Sequence, residues 1–137
     1  MARAFEREVV IGRPVAEVWS TLVDWSTAPR WMSGIERIAA NGPVAPGTQL
    51  TFSARGRVRP AEILEAGDGR LVVRSEQGPV SATYCYEVEA TPGGTRFRLT
   101  VDCDVRGPLR LLAPLVGRTL RRTDGGQPDA LRSLLEA

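Results

Sequence analysis

Two of the side chains on which much enzyme chemistry rests are missing here: the 137 residues include no histidine, and all 18 basic residues are arginine, so lysine is missing too. Without histidine there is no Ser-His-Asp or Cys-His pair, no imidazole acid or base near neutrality and no histidine-ligated metal. Without lysine there is no Schiff base, no pyridoxal-phosphate anchor and no phosphate-binding P-loop lysine. Arginine stays charged at any working pH, so it binds and orients anions but is a poor proton carrier. Any catalysis must therefore use carboxylates, Tyr, Ser, Thr, Cys or bound water.

Other scarcities narrow the field further. Two cysteines, Cys85 and Cys103, are too few for a disulfide framework or a zinc site. A net charge of +2 is too small to draw nucleic acid by bulk electrostatics. No run of residues approaches the roughly 18 apolar positions of a transmembrane helix. The opening residues alternate charged and apolar, without the apolar centre of a signal peptide. The expectation is a soluble cytoplasmic protein that inserts in no membrane, binds no nucleic acid, carries no cofactor or metal, and exists as a monomer or homodimer.

What is present suffices for one domain spanning residues 1–137, with 42% apolar residues and a real core. Area scaling gives about 7,000 Å² of folded surface against about 21,000 Å² unfolded. Residues 3–11 alternate as a first strand. Gly12-Arg13-Pro14 stops it, and Val15, Val18, Trp19, Leu22 and Val23 then form a one-sided helical stripe. A short second helix is predicted over 26–32, capped by Ser26 or Thr27 with Pro29 in its first turn. Asp24 reads as a cap or a salt-bridge partner of Arg30.

From Gly34 the period becomes two. Strands are predicted at 35–40, 48–57, 59–66, 70–76, 80–90 and 95–106, separated by Gly- and Pro-rich turns. The last two form a hairpin that sets Tyr86 opposite Leu99 and Tyr84 opposite Val101. In that register Cys85 and Cys103 point to opposite faces and do not bridge. Helical spacing returns from Pro108. Pro114 is expected to kink or restart that helix, and Gly125-Gly126-Gln127-Pro128 to break it near Thr123.

This order of elements is α+β, with both helical sections on one face of a curved antiparallel sheet. The hollow between sheet and terminal helix suits a small apolar ligand. Ile11-Gly-Arg-Pro-Val-Ala-Glu-Val-Trp19, then Asp24 and Arg30-Trp31, resembles the opening of the START-like helix-grip superfamily, and within it the polyketide cyclase/dehydrase and lipid-transport family. Pro46-Gly47-Thr48, Gly93-Gly94-Thr95-Arg96 and Leu131-Arg-Ser-Leu-Leu-Glu136 fit the same pattern. The resemblance implies a curved seven-stranded sheet wrapped round a long C-terminal helix, with two short helices after the first strand. It implies members of several kinds: aromatase/cyclases, lyases, lipid carriers and ligand receptors. The Gly125–Pro128 interruption departs from the usually continuous last helix.

The candidate ligand-binding residues are Trp31, Met32, Leu50, Phe52, Tyr84, Tyr86, Leu99, Val101, Leu112, Leu115 and Val116, each of which could equally be plain core. Tyr84 and Tyr86 face the presumed hollow, where a phenol either packs or hydrogen-bonds a ligand carbonyl. Arg7 shares parity with Phe5, Val9 and Ile11 and needs a carboxylate, with Glu65 and Glu87 as candidates, or an anionic ligand. No residue declares itself catalytic; Tyr84, Tyr86 and Arg7 are the candidates carried forward, while Asp24 reads more readily as a cap than as an acid. Arg55, Arg57 and Arg59, like Arg96 and Arg98, read as a solvated, ion-paired outer face. Cys103 reads as an inert buried thiol. Two functions fit: binding of a small hydrophobic polyketide-, aromatic- or lipid-like molecule, or an aromatase/cyclase or dehydratase working by orientation and acid/base chemistry. An interaction module using the arginine-rich faces is a weaker third.

Overall fold

The computed structural model describes residues 2–137. Seven strands, β1 (Ala2–Ile11), β2 (Ile35–Ala40), β3 (Gln49–Ala54), β4 (Arg57–Gly67), β5 (Arg70–Gln77), β6 (Val80–Thr91) and β7 (Gly94–Val105), form one antiparallel sheet in the order β1-β7-β6-β5-β4-β3-β2. Helices α1 (Val15–Leu22) and α2 (Ala28–Trp31) link β1 to β2, and α3 (Ala113–Asp124) and α4 (Gln127–Glu136) close the chain. This is the α+β helix-grip arrangement. Among the described residues no helix is long and apolar enough to cross a membrane.

The local chemistry explains most elements. The apolar stripe of α1 buries Val18 and Leu22 against the core. Asp24, rather than Ser26 or Thr27, caps the turn that follows: its carboxylate accepts from the Ser26 N–H at 3.1 Å and the Ser26 hydroxyl at 2.6 Å. That turn is a 3-10 segment over Trp25–Thr27, leaving α2 only four residues. The β6–β7 hairpin has the expected register, Tyr86 opposite Leu99 and Tyr84 opposite Val101. Cys85 and Cys103 are both free, and burial pushes both thiols up from their ordinary pKa.

Two boundaries differ from the sequence reading, and both matter for the site. The β3–β4 reversal falls at Arg55-Gly56, with φ of 53° and 76°, rather than at Val58. Positive φ at both central residues is the signature of a type I′ two-residue hairpin turn. The shift puts Arg57, with Arg59, on the same face as buried Ala61 and Ile63.

At the other end, residues Gly107–Leu112 wind as a 3-10 turn, and Pro114 lies in the first turn of α3, where a missing N–H costs nothing. Of the two expected outcomes, a kink or a restart, Pro114 marks the restart: the 3-10 segment ends and α3 begins there. Leu109, Leu111 and Leu112 in this turn are exposed to solvent, as is Leu115 in the first turn of α3.

The break after Asp124 is small. Gly125 keeps right-handed helical dihedrals and its N–H still donates to the Arg121 carbonyl at 2.9 Å. A Cβ at Gly125 would run into that same carbonyl oxygen, so the joint needs glycine. α3 and α4 lie over β1 and β7; at Gly117 the helix comes close to Ala4 and Cys103. Phe97, Leu99, Val101, Ile11 and Leu131 fill this side completely, as the fully buried core.

Candidate functional site

Because the C-terminal helices pack mainly over β1 and β7 and reach only β6 beyond them, much of the rest of the sheet is left uncovered. A cavity of about 440 Å³ lies over β2 to β6. Its apolar wall comes from Ile35 and Ile38 on β2, Leu50 and Phe52 on β3, and Leu71 and Val73 on β5. Trp25 and Met32 close it from the α2 side, and Leu120 from α3.

Polar groups gather where β6 meets the α3–α4 joint. The Tyr84 hydroxyl donates to Asp124 Oδ2 at 2.6 Å, and the Tyr86 hydroxyl donates to Gln127 Oε1 at 2.9 Å. The two phenol rings stack, 14° apart in plane with centroids 6.4 Å apart. Tyr86 is further held edge-on by Trp31 at 6.0 Å. The alternation of β6 puts both tyrosines on one face, and the short helical joint brings Asp124 and Gln127, three apart, down onto them.

Burial dominates the electrostatics of this corner. It raises the Tyr84 phenol well above its ordinary value, reinforced by the charge of Asp124 and the hydrogen bond to it. Burial raises Tyr86 in the same way, so both phenols stay neutral in the ordinary pH range. Burial also raises the Asp124 carboxyl, against the Tyr84 hydroxyl, the positive charge of Arg55 and the Gln127 amide, which pull it down. A carboxylate in the last turn of a helix also faces the unfavourable end of the helix dipole. Asp124 is thus a carboxyl that holds its proton to a higher pH than usual, beside a neutral phenol: a proton donor-acceptor pair on the wall of an apolar cavity.

Of the residues singled out from sequence, Met32, Leu50, Phe52, Tyr84 and Tyr86 line the cavity. Trp31 does not; it is buried behind Tyr86, with its indole N–H directed at the Thr27 hydroxyl at 3.3 Å. Leu99 and Val101 are fully buried under the helices, on the filled side of the sheet. Leu112 in the 3-10 turn and Leu115 at the start of α3 are both exposed, and Val116 packs on the core without reaching the cavity. Arg7 lies opposite Leu99 on edge strand β1 and is exposed, away from the cavity. Glu65 and Glu87, its expected partners, both bind Arg70, at 3.4 and 3.7 Å.

The sequence reading missed Asp124, Gln127 and the three arginines 55, 57 and 59, all of which line the cavity. The arginines' signal was present: Arg57 and Arg59 share parity with Ala61 and Ile63 once the turn is placed at Arg55-Gly56. Arg96 and Arg98 do form the expected outer face, both pairing with Glu8, Arg98 at 2.9 Å. Among the described residues no group of three or more acidic or cysteine side chains gathers to hold a metal ion.

Solved structures share this architecture. The chain superposes on Ara h 8.0201 with a TM-score of 0.75 at 19% identity, covering 96% of both chains. A START superfamily protein from Mycobacterium smegmatis gives 0.72 at 17% identity, again over 96% of each. The di-domain ARO/CYC StfQ of the steffimycin biosynthetic pathway gives 0.75 at 11% identity, over 96% of this chain and 50% of that one. At these identities the likeness is one of fold. No curated protein sequence matches the chain. The sequence model for polyketide cyclase/dehydrase and lipid transport matches residues 2–136, nearly the whole length, and the chain therefore belongs to that family.

Proposed function

We propose that the protein binds a small, mainly apolar molecule of polyketide, aromatic or lipid type in the cavity between the sheet and α3. The observation that carries this reading is the cavity itself: about 440 Å³, apolar over most of its wall, with a tyrosine-carboxyl-amide corner at β6 and the α3–α4 joint. Cavities of about 300–1,000 Å³ with a few convergent polar groups are the usual form of small-molecule sites. The apolar wall supplies affinity through burial, and the Tyr84–Asp124 and Tyr86–Gln127 pairs supply orientation. Native mass spectrometry of the purified protein tests this: a co-purifying small molecule is expected, lost on denaturation. A protein that is empty and binds no hydrophobic dye would overturn it.

A second reading, aromatase/cyclase activity on a poly-β-ketone chain, is favoured by one specific observation. A tyrosine, a carboxyl of raised pKa and arginines all line the same cavity. In this reading the cavity folds the chain, and such orientation contributes about 7–11 kcal/mol at best. The Asp124 carboxylate takes a proton from a methylene between two carbonyls. The enolate carbon attacks a carbonyl further along, forming the ring C–C bond. The new alkoxide, steadied by the Tyr84 hydroxyl or an arginine, takes the proton back from Asp124. Regiospecific ring closure that is lost in both Asp124→Asn and Tyr84→Phe would establish it. Cyclisation unchanged by either substitution would exclude it.

A further inference from the structure

The cavity wall carries three positive charges and one carboxyl. Arg55, Arg57 and Arg59 all line it, Asp124 is the only acidic residue on it among the described residues, and Asp124 already accepts the Tyr84 hydroxyl. None of the three arginines forms an ion pair among the described residues. On the outer face arginines behave differently: Arg3 reaches Asp102 at 2.7 Å, Arg74 reaches Glu76 at 2.9 Å, and Arg98 reaches Glu8 at 2.9 Å. Nearby acids do not serve the trio. Glu36 accepts the Gly56 N–H at 2.9 Å, and Glu62 lies on the other face of β4 from Arg57 and Arg59.

The placement follows from the backbone. Arg55 sits in the β3–β4 turn, at the end of the cavity where β3 and β5 finish, near enough to Asp124 at the end of α3 for its positive charge to act on that carboxyl. Arg57 and Arg59 are alternate residues of β4 on the inward face, so their Cα atoms are about 6.5 Å apart. That spacing lets two guanidiniums bracket one anionic group. Adjacent like charges on one strand face repel, and covering them with an apolar ligand would desolvate them without compensation. An anion on the ligand relieves both costs.

We propose that Arg55, Arg57 and Arg59 form an anion subsite at the mouth of the cavity, so that the ligand is an amphipathic molecule with an apolar body and a carboxylate or phosphate head. The inference rests on the binding reading above and narrows it to a class: the apolar body lies toward Leu50, Phe52 and Leu71, and the head remains at the β3–β4 turn.

Two dyes that differ only in the charged group test it: 8-anilinonaphthalene-1-sulfonate and its neutral parent, 1-anilinonaphthalene. The native protein is expected to bind the anionic dye about tenfold tighter, with the preference falling as salt rises. In the Arg55→Gln/Arg57→Gln/Arg59→Gln variant the preference should disappear, with affinity for the neutral dye held within about twofold. Circular dichroism checks its fold, and Arg3→Gln/Arg96→Gln/Arg98→Gln, which removes three charges from the outer face, serves as the control for lost net charge. Decanoate and decyl phosphate compete for the anionic dye's place in the native protein, and which competes better tells a carboxylate ligand from a phosphate one; 1-decanol competes poorly. Equal affinity for the two dyes, or a preference that survives in the triple variant, overturns the subsite while leaving the cavity reading intact. Failure of both dyes to bind overturns the cavity reading and the subsite with it.

Discussion

Tyr86→Phe isolates a single hydrogen bond in the corner of the cavity. The ring is retained, and with it the packing on Trp31 at 6.0 Å and on Phe97 at 6.1 Å. Only the hydroxyl is lost, and Gln127 Oε1, 2.9 Å away on a buried residue, is left without its donor. Leaving a buried acceptor unsatisfied costs about 1–3 kcal/mol, more than the roughly 1 kcal/mol net of an ordinary hydrogen bond. For a chain of this length each kcal/mol lowers Tm by about 3–5 °C, so a fall of several degrees is expected. Urea unfolding gives the free energy directly. The sharper expectation is a change of sign. In a Gln127→Leu background the Tyr86 hydroxyl is itself the unsatisfied group, so adding Tyr86→Phe should be neutral or stabilising. If Tyr86→Phe costs less than about 0.5 kcal/mol, or costs the same in both backgrounds, the two groups are not partners and the corner is not held as described.

Three further outcomes follow from the same structure. Asp124 is raised above the ordinary carboxyl value of 3.8, so the folded state holds its proton longer than the unfolded one; stability from this group is full below that value and declines as pH rises through the raised one, and Asp124→Asn should flatten the decline in pH-dependent unfolding curves. Phe52→Ala should weaken hydrophobic-dye binding about tenfold, whereas Leu115→Ala, at an exposed position outside the cavity, should leave it within about twofold in a fluorescence titration. Gly94→Ala should cost at least about 1–3 kcal/mol, measured by thermal unfolding, because φ at Gly94 is +140° and a Cβ there would strike the Ile11 carbonyl oxygen.

How much of the site was legible in the sequence depends on which kind of order placed each residue. Tyr84 and Tyr86 were found because strand alternation and a short hairpin turn fix both face and register, and the register observed is the one expected. Arg57 differs because a strand over 48–57 gives it the parity of Gln49 and Thr51, whereas the earlier turn places it on β4; Arg59 already has the parity of Ala61 and Ile63, and only the run of alternating arginines makes it read as an outer-face charge. The Arg-Gly turn lacks the Asn-Gly or Asp-Gly signature that would have marked it. Leu112 departs from the sequence reading because α-helical spacing does not hold over a segment that winds as a 3-10 turn, and Leu115 because the first turn of α3 leaves it on the solvent side.

The sequence by itself determined the chemistry denied to this protein and the kind of fold it adopts. The lack of histidine and lysine is a fact of composition, and binary periodicity with Gly and Pro punctuation is local, so both are readable along the chain. The tertiary structure alone decided where the hollow lies. The C-terminal helices pack over β1 and β7, which makes Leu99 and Val101 solid core and moves the cavity over β2 to β6. It also brought Asp124 to Tyr84, Gln127 to Tyr86, and three unpaired arginines to the same wall. Those residues lie up to about 70 positions apart in the chain, and no local pattern encodes which face of a sheet a distant helix will cover.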